Sequence, residues 1–133
     1  MKHTPPELIE STPELAQQIE AFRAEHANDA LGGVASTVIF EDDRIRIWEM
    51  TLEPGESSDW HHHGHDYYLA ILSGDRVAGV SKDSFQVFGI PETGNTVGVA
   101  HGSTEWALNV GQKTYREILF ELKDTGSGQP DGK

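Results

Sequence analysis

Residues 54–74 read PGESSDWHHHGHDYYLAILSG, and the interpretation of the whole chain starts from this stretch. Four of the protein's seven histidines lie in it, at His61, His62, His63 and His65. Imidazole is the commonest metal ligand among side chains, and it needs no unusual pKa to bind a metal at neutral pH. The cluster therefore indicates a metal or ligand site rather than a solvated loop in which histidines happen to be neighbours.

The spacing of the histidines divides them into two groups. Side chains alternate between the faces of a β-strand, so His61 and His63 point one way and His62 points the other. His61 and His63 can therefore share one ion, whereas a solvent-facing position is the simpler interpretation for His62. His65 follows Gly64, which ends or bends the strand, and the pattern favours neither a site nor a solvent position for it.

The same stretch resembles the first motif of the cupin superfamily. That motif has a glycine, five residues, His-x-His, three or four residues, a glutamate, six residues and a glycine. The spacing is reproduced by Gly55, His61, His63, Tyr67 and Gly74. Tyr67 occupies the position of the usual glutamate ligand. The resemblance covers about residues 34–122 and implies an all-β, double-stranded β-helix (jelly-roll) barrel.

A second cupin motif supplies a third histidine four residues before an asparagine. Asn109 stands in the expected LNVG setting, but the residue four places earlier is Glu105. Strand parity puts Glu105 and Asn109 on the face opposite Trp106, so Glu105 points into the barrel, or into solvent if the parity is inverted. Buried acids are normally paired or bound to metal, so an inward Glu105 predicts a cation or a hydrogen-bonding partner.

Together these residues predict a two-histidine, one-carboxylate centre formed by His61, His63 and Glu105. Such a ligand set suits a divalent metal ion, namely Fe, Mn, Ni or Zn. The candidates for proton transfer or for a fourth ligand are Tyr67, His65 and His101. An alternative role for Glu105 itself is proton transfer, with a pKa raised by burial if no metal is near.

Two functional classes fit this site. The first is a metal-dependent isomerase, lyase or dioxygenase acting on a small polar metabolite with a carboxylate, hydroxy or keto group. The second is a non-catalytic small-molecule-binding protein or a degenerate cupin without metal, which the two altered ligand positions favour. The fold does not decide between them, because cupin-like barrels host enzymes and binding proteins alike.

The remaining chain predicts one barrel preceded by a helix. From Val34 onward, β-branched and aromatic residues alternate with short turn signals, which indicates about nine short strands. Before them, Ser11 or Thr12 followed by Pro13 is a helix start. The apolar stripe of this helix consists of Leu15, Ile19 and Phe22, and we expect it to pack on the barrel or on a partner subunit. The predicted organisation is an N-terminal extension over residues 1–30, a barrel over 31–123 and a disordered tail over 124–133.

Composition limits the partners and the location. The 22 acidic and 10 basic residues give a formal net charge of −12, which repels phosphate backbones and anionic membrane surfaces, so we expect neither nucleic acid nor membrane partners. The absence of cysteine restricts a metal site to nitrogen and oxygen donors. Without a secretion signal or a membrane-length apolar run, a cytoplasmic location is expected. The apolar helix stripe and the resemblance to small cupins, which commonly pair, predict a homodimer.

Overall fold

The structure is a computed structural model that describes residues 6–126. Its single helix, α1, spans Pro13–Glu25. The strands are β1 (Glu7–Ile9), β2 (Thr37–Glu41), β3 (Ile45–Leu52), β4 (His61–His62), β5 (Tyr67–Ser73), β6 (Arg76–Val80), β7 (Phe85–Gly89), β8 (Asn95–Val99), β9 (Thr104–Asn109) and β10 (Tyr115–Leu122). The tail predicted to be disordered lies outside the described residues from position 127 onward.

The strands form two antiparallel sheets of five strands each. The β10 sheet has the order β2-β3-β10-β5-β8, and the β9 sheet has the order β1-β7-β6-β9-β4. Neighbours in these orders are mostly distant in sequence, as expected when the chain crosses between two sheets that close into a jelly roll. This confirms the all-β jelly-roll barrel with an N-terminal helix that the sequence predicts.

The core between the sheets follows from strand alternation. On β10, Tyr115, Glu117, Leu119 and Glu121 are buried and face the interior, while the residues between them point outward. The buried apolar residues of this interior are Val34, Ala35, Trp48, Met50, Leu52, Tyr67, Ile71, Val77, Ile90, Tyr115 and Leu119. The barrel is thus apolar over most of its length, with a small number of polar groups inside it.

Helix α1 covers the outer face of the β9 sheet. Thr12 caps its start, because Oγ1 accepts a hydrogen bond from the Leu15 amide at 3.2 Å and Pro13 follows at the first helical position. Leu15, Ile19 and Phe22 are buried there. Their partners on the sheet are Ala78, Val80, Val87, Trp106 and Leu108. Of the two expected positions for the helix stripe, the structure has the one on the barrel.

Strand β1 is the element that the sequence does not predict. Glu7, Leu8 and Ile9 pair with β7, so the N-terminal extension contributes an edge strand to the barrel as well as a helix. Three residues are too few to show an alternating pattern, and β7 provides the hydrogen bonds that make this segment a strand. The division of the chain at residues 30 and 123 stays a prediction.

Asn109, the asparagine of the second motif, has a structural role. Its Nδ2 donates hydrogen bonds to the carbonyls of Leu52 at 2.9 Å and Lys113 at 2.8 Å, and its Oδ1 accepts one from the Gly111 amide at 2.9 Å. The side chain is fully buried, and these bonds fasten the turn between β9 and β10 to the end of β3.

Within the described part of the chain, no helix is long and apolar enough to cross a membrane.

Candidate metal centre

The two motifs meet where β4 pairs with β9. His61 lies directly opposite Glu105 and His62 lies opposite Thr104 in this antiparallel pair. The strand is short, but the chain stays extended beyond it, because the His63 amide donates to the Ser103 carbonyl at 2.9 Å. His61 and His63 therefore both face the barrel interior, and cross-strand pairing brings Glu105 to them.

Three potential ligand atoms converge at this point. His61, His63 and Glu105 each offer one, and all three atoms lie within 4.8 Å of one another. The two Nε2 atoms of the histidines are 3.1 Å apart, and both residues are at most 3% exposed. Of the two orientations considered for Glu105, the structure has the inward one. Gly79 borders its carboxylate, since a Cβ at that position would be in van der Waals contact with Glu105 Oε2 at 3.4 Å.

The backbone fixes the tautomer of His61. Its Nδ1 lies 2.7 Å from the Asp59 carbonyl oxygen, which can only accept, so Nδ1 carries the proton and donates it. The lone pair is then on Nε2, which faces His63. Histidine ligands of metals are usually held by such a bond from the other ring nitrogen, which sets ring orientation and raises basicity. His61 is thus oriented as a metal-binding histidine would be.

His63 is positioned by packing instead. Its ring stacks on Tyr67 with ring centroids 4.0 Å apart and an interplanar angle of 16°. Its Nδ1 is buried and has no hydrogen-bond partner among residues 6–126. An unsatisfied buried polar atom costs on the order of 1–3 kcal/mol of folding stability. The position of His63 is therefore not explained by a contribution to the stability of the fold.

Burial controls the protonation of the site. It lowers the pKa of His61 and, together with the neighbouring His61 and His62, it lowers the pKa of His63 to about 2, so both imidazoles stay neutral and keep a free lone pair. Burial also raises the pKa of Glu105, an effect that the Ser103 hydroxyl partly offsets. The pKa of Tyr67 is raised mainly by burial and further by the acids nearby, so this residue is a neutral phenol at neutral pH.

Three further histidines that the sequence draws attention to lie outside this group. His62 is half-buried on the opposite side of the strand, with Nδ1 2.7 Å from Thr104 Oγ1. His65 donates from Nδ1 to the Thr125 carbonyl at 2.9 Å. His101 is exposed and pairs with Asp66 through a 2.8 Å contact. The structure does not bring His65 or His101 into the three-residue cluster, and their assignment to proton transfer stays a prediction, as does that of Tyr67.

Glu117 is a buried acid that the sequence analysis does not single out. It faces the interior from β10, and the Tyr115 hydroxyl donates a 2.6 Å hydrogen bond to its Oε1. Burial raises the pKa of Glu117 to about 7, helped by the charge of Glu105 and opposed by the Tyr115 hydrogen bond. The signal was present in the sequence, because alternation along YREILFEL places Glu117 on the same face as Tyr115 and Leu119.

The cluster fits a divalent metal ion. Two imidazole nitrogens that each lie about 2.0–2.1 Å from one ion are roughly 2.8–3.4 Å apart at octahedral or tetrahedral angles, and the two Nε2 atoms here are 3.1 Å apart. Two neutral imidazoles and one carboxylate give the site a net charge near +1 with the ion bound. A bound ion would supply a Lewis acid that polarises an oxygen of a ligand or lowers the pKa of water.

Comparison with known proteins shows the fold. No protein-family model and no curated protein matches the chain. Solved structures do match. A cupin domain from Bordetella pertussis has 18% identity and a TM-score of 0.61, with 71% of this chain and 97% of that one covered. A conserved protein with a double-stranded β-helix domain from Klebsiella pneumoniae has 16% identity and a TM-score of 0.55, with 77% and 89% covered.

A cupin 2 conserved barrel domain protein from Salinispora arenicola has 18% identity and a TM-score of 0.53, with 75% of this chain and 85% of that one covered. Identities this low establish a common fold and nothing about ligands or reactions. The chain therefore has the double-stranded β-helix fold of small cupin domains. The fold expected from the motif resemblance is confirmed, and the metal and the reaction have to be argued from the site itself.

Proposed function

We propose that this protein holds a divalent metal ion through His61, His63 and Glu105 and uses it on a small metabolite that carries a carboxylate, hydroxy or keto group. One observation supports this above the others. The three ligand atoms converge in the barrel interior, and the Asp59 carbonyl already holds His61 in the tautomer that directs a lone pair toward His63.

The electrostatics of the interior favour a bound cation. A carboxylate in a low-dielectric interior is costly unless it is paired. Neither a lysine nor an arginine is among the neighbours that the structure gives for Glu105, which include His61, His63, Ser103, Tyr67, Gly79 and Glu117. A divalent ion would stabilise the ionised Glu105. It would also provide the positive charge that a substrate carboxylate needs in this part of the barrel.

The donor set restricts the ion to metals that accept nitrogen and oxygen together. Fe(II), Mn(II), Ni(II) and Zn(II) all do so, and a site with three protein ligands leaves positions open for a substrate or water. The residues available to hold or move a proton beside it are Tyr67, which packs on His63, and Glu117 with its Tyr115 partner. Glu117 is suited to this role because its pKa of about 7 lets it exchange protons at neutral pH.

A second candidate function is binding of a small molecule without metal. Tyr67 favours it, because this residue stands at the position of the usual glutamate ligand and its raised pKa makes the phenol a poor metal ligand. In that case Glu105 would be a neutral acid in the metal-free barrel, and it would donate a hydrogen bond to the ligand.

Metal analysis of the protein purified without a histidine tag separates the two functions. We expect about one metal ion per chain by elemental analysis, and loss of that metal in the double variant with His61→Ala and His63→Ala. His62→Ala is the matched control, because this residue lies on the same strand with its side chain on the other face. A metal-free wild type whose melting temperature does not change on adding Fe, Mn, Ni or Zn would support the metal-free function.

A further inference from the structure

The segment that leads into the histidine strand changes its register against β9 by one residue. Ser57 lies opposite Leu108 in an isolated antiparallel bridge, whereas His61 lies opposite Glu105. From 57 to 61 the chain advances four residues, while β9 advances only three, from 108 to 105. One extra residue therefore lies among positions 58–60, and this is a β-bulge.

The bulge decides which side chain meets Glu105. If the register at Ser57 continued without the extra residue, Trp60 would lie opposite Glu105 and His61 would lie opposite Thr104. A slip of one residue turns every side chain of a strand to the other face. The proposed metal centre therefore depends on this bulge as well as on the spacing of the histidines.

The Ser58 hydroxyl replaces a backbone hydrogen bond at the bulge. The Ser58 amide donates to the Ala107 carbonyl at 2.8 Å. In a regular antiparallel pair the Ala107 amide would donate back to the Ser58 carbonyl. It donates instead to Ser58 Oγ at 2.8 Å, and the Ser58 side chain is buried. A side chain without an oxygen at position 58 would remove this bond.

The same hydroxyl holds the carbonyl that orients His61. Ser58 Oγ donates to the Asp59 carbonyl oxygen at 2.9 Å, and His61 Nδ1 donates to that oxygen at 2.7 Å. A carbonyl oxygen has two lone pairs, so these two donors satisfy it completely. One hydroxyl therefore connects β9, through the Ala107 amide, to the carbonyl that holds the His61 ring.

The segment after helix α1 holds the bulge as well. The Gly32 amide donates to the Trp60 carbonyl at 2.8 Å, and the Gly33 amide donates to Asp59 Oδ2 at 3.4 Å. A Cβ at Gly32 would lie 2.5 Å from Asp59 Oδ2, so the close approach requires glycine there. The bulge is thus held by two sets of hydrogen bonds, one from β9 and one from residues 32–33.

We propose that Ser58 is a positioning residue of the metal centre. Its hydroxyl stabilises the bulge that puts His61 opposite Glu105, and it holds the Asp59 carbonyl that orients the imidazole. This role rests on the proposed function, because it affects metal only if His61 and Glu105 bind the same ion. Partners that orient a metal-binding histidine typically change metal affinity by about 10–100-fold.

Titration calorimetry of the metal-free full chain with Zn²⁺ tests this role. Ser58→Thr and Ser58→Val introduce side chains of nearly the same shape, of which only threonine keeps the hydroxyl. We expect Ser58→Val to bind Zn²⁺ about tenfold or more weakly than the wild type, and Ser58→Thr to stay within about threefold of it. Ser58→Ala should match Ser58→Val, and it keeps the test decisive if a branched side chain prevents folding at this position.

Ser73→Ala is the matched control. Ser73 Oγ donates to the Thr114 carbonyl at 3.0 Å, at the opposite end of β5 from Tyr67, so this variant also removes a bond from a serine to a backbone carbonyl. Its Zn²⁺ affinity should stay within about twofold of the wild type. Circular dichroism and melting curves establish which variants are folded. An affinity loss in Ser73→Ala as large as that in Ser58→Ala would overturn the positioning role.

The hold on His61 is also measurable without metal. In nuclear magnetic resonance spectra of the metal-free protein, we expect the His61 Nδ1 proton to exchange with water about tenfold faster in Ser58→Ala than in the wild type. A wild type that binds no Zn²⁺ but shows this difference would contradict the proposed function and support the positioning of His61 by Ser58. Equal Zn²⁺ affinity in folded Ser58→Thr and Ser58→Val, or an unchanged exchange rate in Ser58→Ala, overturns the positioning role.

Discussion

At the scale of single residues, Glu105 carries the most information. It stands where the second cupin motif has a histidine, and it lies with His61 and His63 inside the barrel. As a ligand it should bind in the ionised form, so Glu105→Gln should lower metal affinity about tenfold or more, as should Glu105→Ala. Glu105→His restores the common ligand type and should retain or tighten binding. Titration calorimetry on the metal-free variants measures this.

The alternative role for Glu105 predicts a different pattern. If it only transfers a proton, Glu105→Gln leaves metal content intact and removes activity. A Glu105→His protein that binds metal no better than Glu105→Ala would exclude the ligand assignment.

Glu117 predicts a pH effect on stability. The pKa of an ordinary glutamate is 4.5, and burial raises that of Glu117 to about 7 in the folded protein. Between these values the unfolded chain releases a proton that the folded chain keeps, so Glu117 makes the protein less stable as pH rises from about 4.5 to 7. Glu117→Gln removes this loss. The free energy of unfolding of the variant relative to wild type should therefore rise with pH, by on the order of 3 kcal/mol.

Chemical denaturation at pH 4.5 to 8 measures this difference. Glu92→Gln serves as the control, because it makes the same change of side chain at an exposed acid in a turn. A Glu117→Gln difference that stays flat, or that falls as pH rises, would show that folding does not raise the pKa of Glu117.

At the scale of elements, helix α1 and the β9 sheet form a second apolar core. Ile19 is fully buried at its centre, so Ile19→Ala removes three carbon atoms and leaves a cavity, and the free energy of unfolding should fall by about 2–5 kcal/mol. Gln17→Ala, on the exposed side of the same helix, should change it by less than about 0.5 kcal/mol. Urea denaturation followed by circular dichroism measures both.

The elements also show how far sequence patterns reach. The helix and most strands from Thr37 onward were predictable. Alternation and capping are local signals, and each of these elements is at least five residues long. Strand β1 was not, since its three residues depend on pairing with a distant strand. Strand β4 has only two residues, yet parity correctly placed His61 and His63 on one face, because the chain stays extended past the end of the strand.

The sequence was sufficient to predict which residues could be metal ligands and which of them lie on the same face of a strand. The pairing of His61 with Glu105 confirms no metal, but it brings together the residues that the two motifs indicate. Two features depend on the tertiary structure: the Asp59 carbonyl that fixes the His61 tautomer and the stacking of Tyr67 on His63. The apolar row formed by Phe40, Ile47, Phe120 and Tyr68 on the outer face of the β10 sheet was not predicted, because it joins strands whose order the sequence does not reveal.

At the scale of the whole molecule, the candidate metal centre and the exposed apolar side chains of the β10 sheet lie on opposite faces of the same strands. On β5, Tyr67 points inward and stacks on His63, while Tyr68 points outward. On β10, Glu117 points inward and Ile118 outward. Because the two faces share strands but not side chains, substitutions on the outer face should leave the candidate metal centre intact.

This separation gives a prediction for thermal stability. A metal ion that binds only the folded chain, at about one hundred times its dissociation constant, adds roughly 2.7 kcal/mol. For a domain of this size that corresponds to a rise in melting temperature on the order of 10 °C. We expect this rise in the wild type and in Tyr68→Glu alike, and we expect a chelator to reverse it. In the double variant with His61→Ala and His63→Ala, metal should not change the melting temperature. Scanning calorimetry at one fixed chain concentration measures the rise in all three proteins. If Tyr68→Glu folds but no longer responds to metal, the barrel interior and the outer face of the β10 sheet are coupled, and the alternation of β5 does not isolate them.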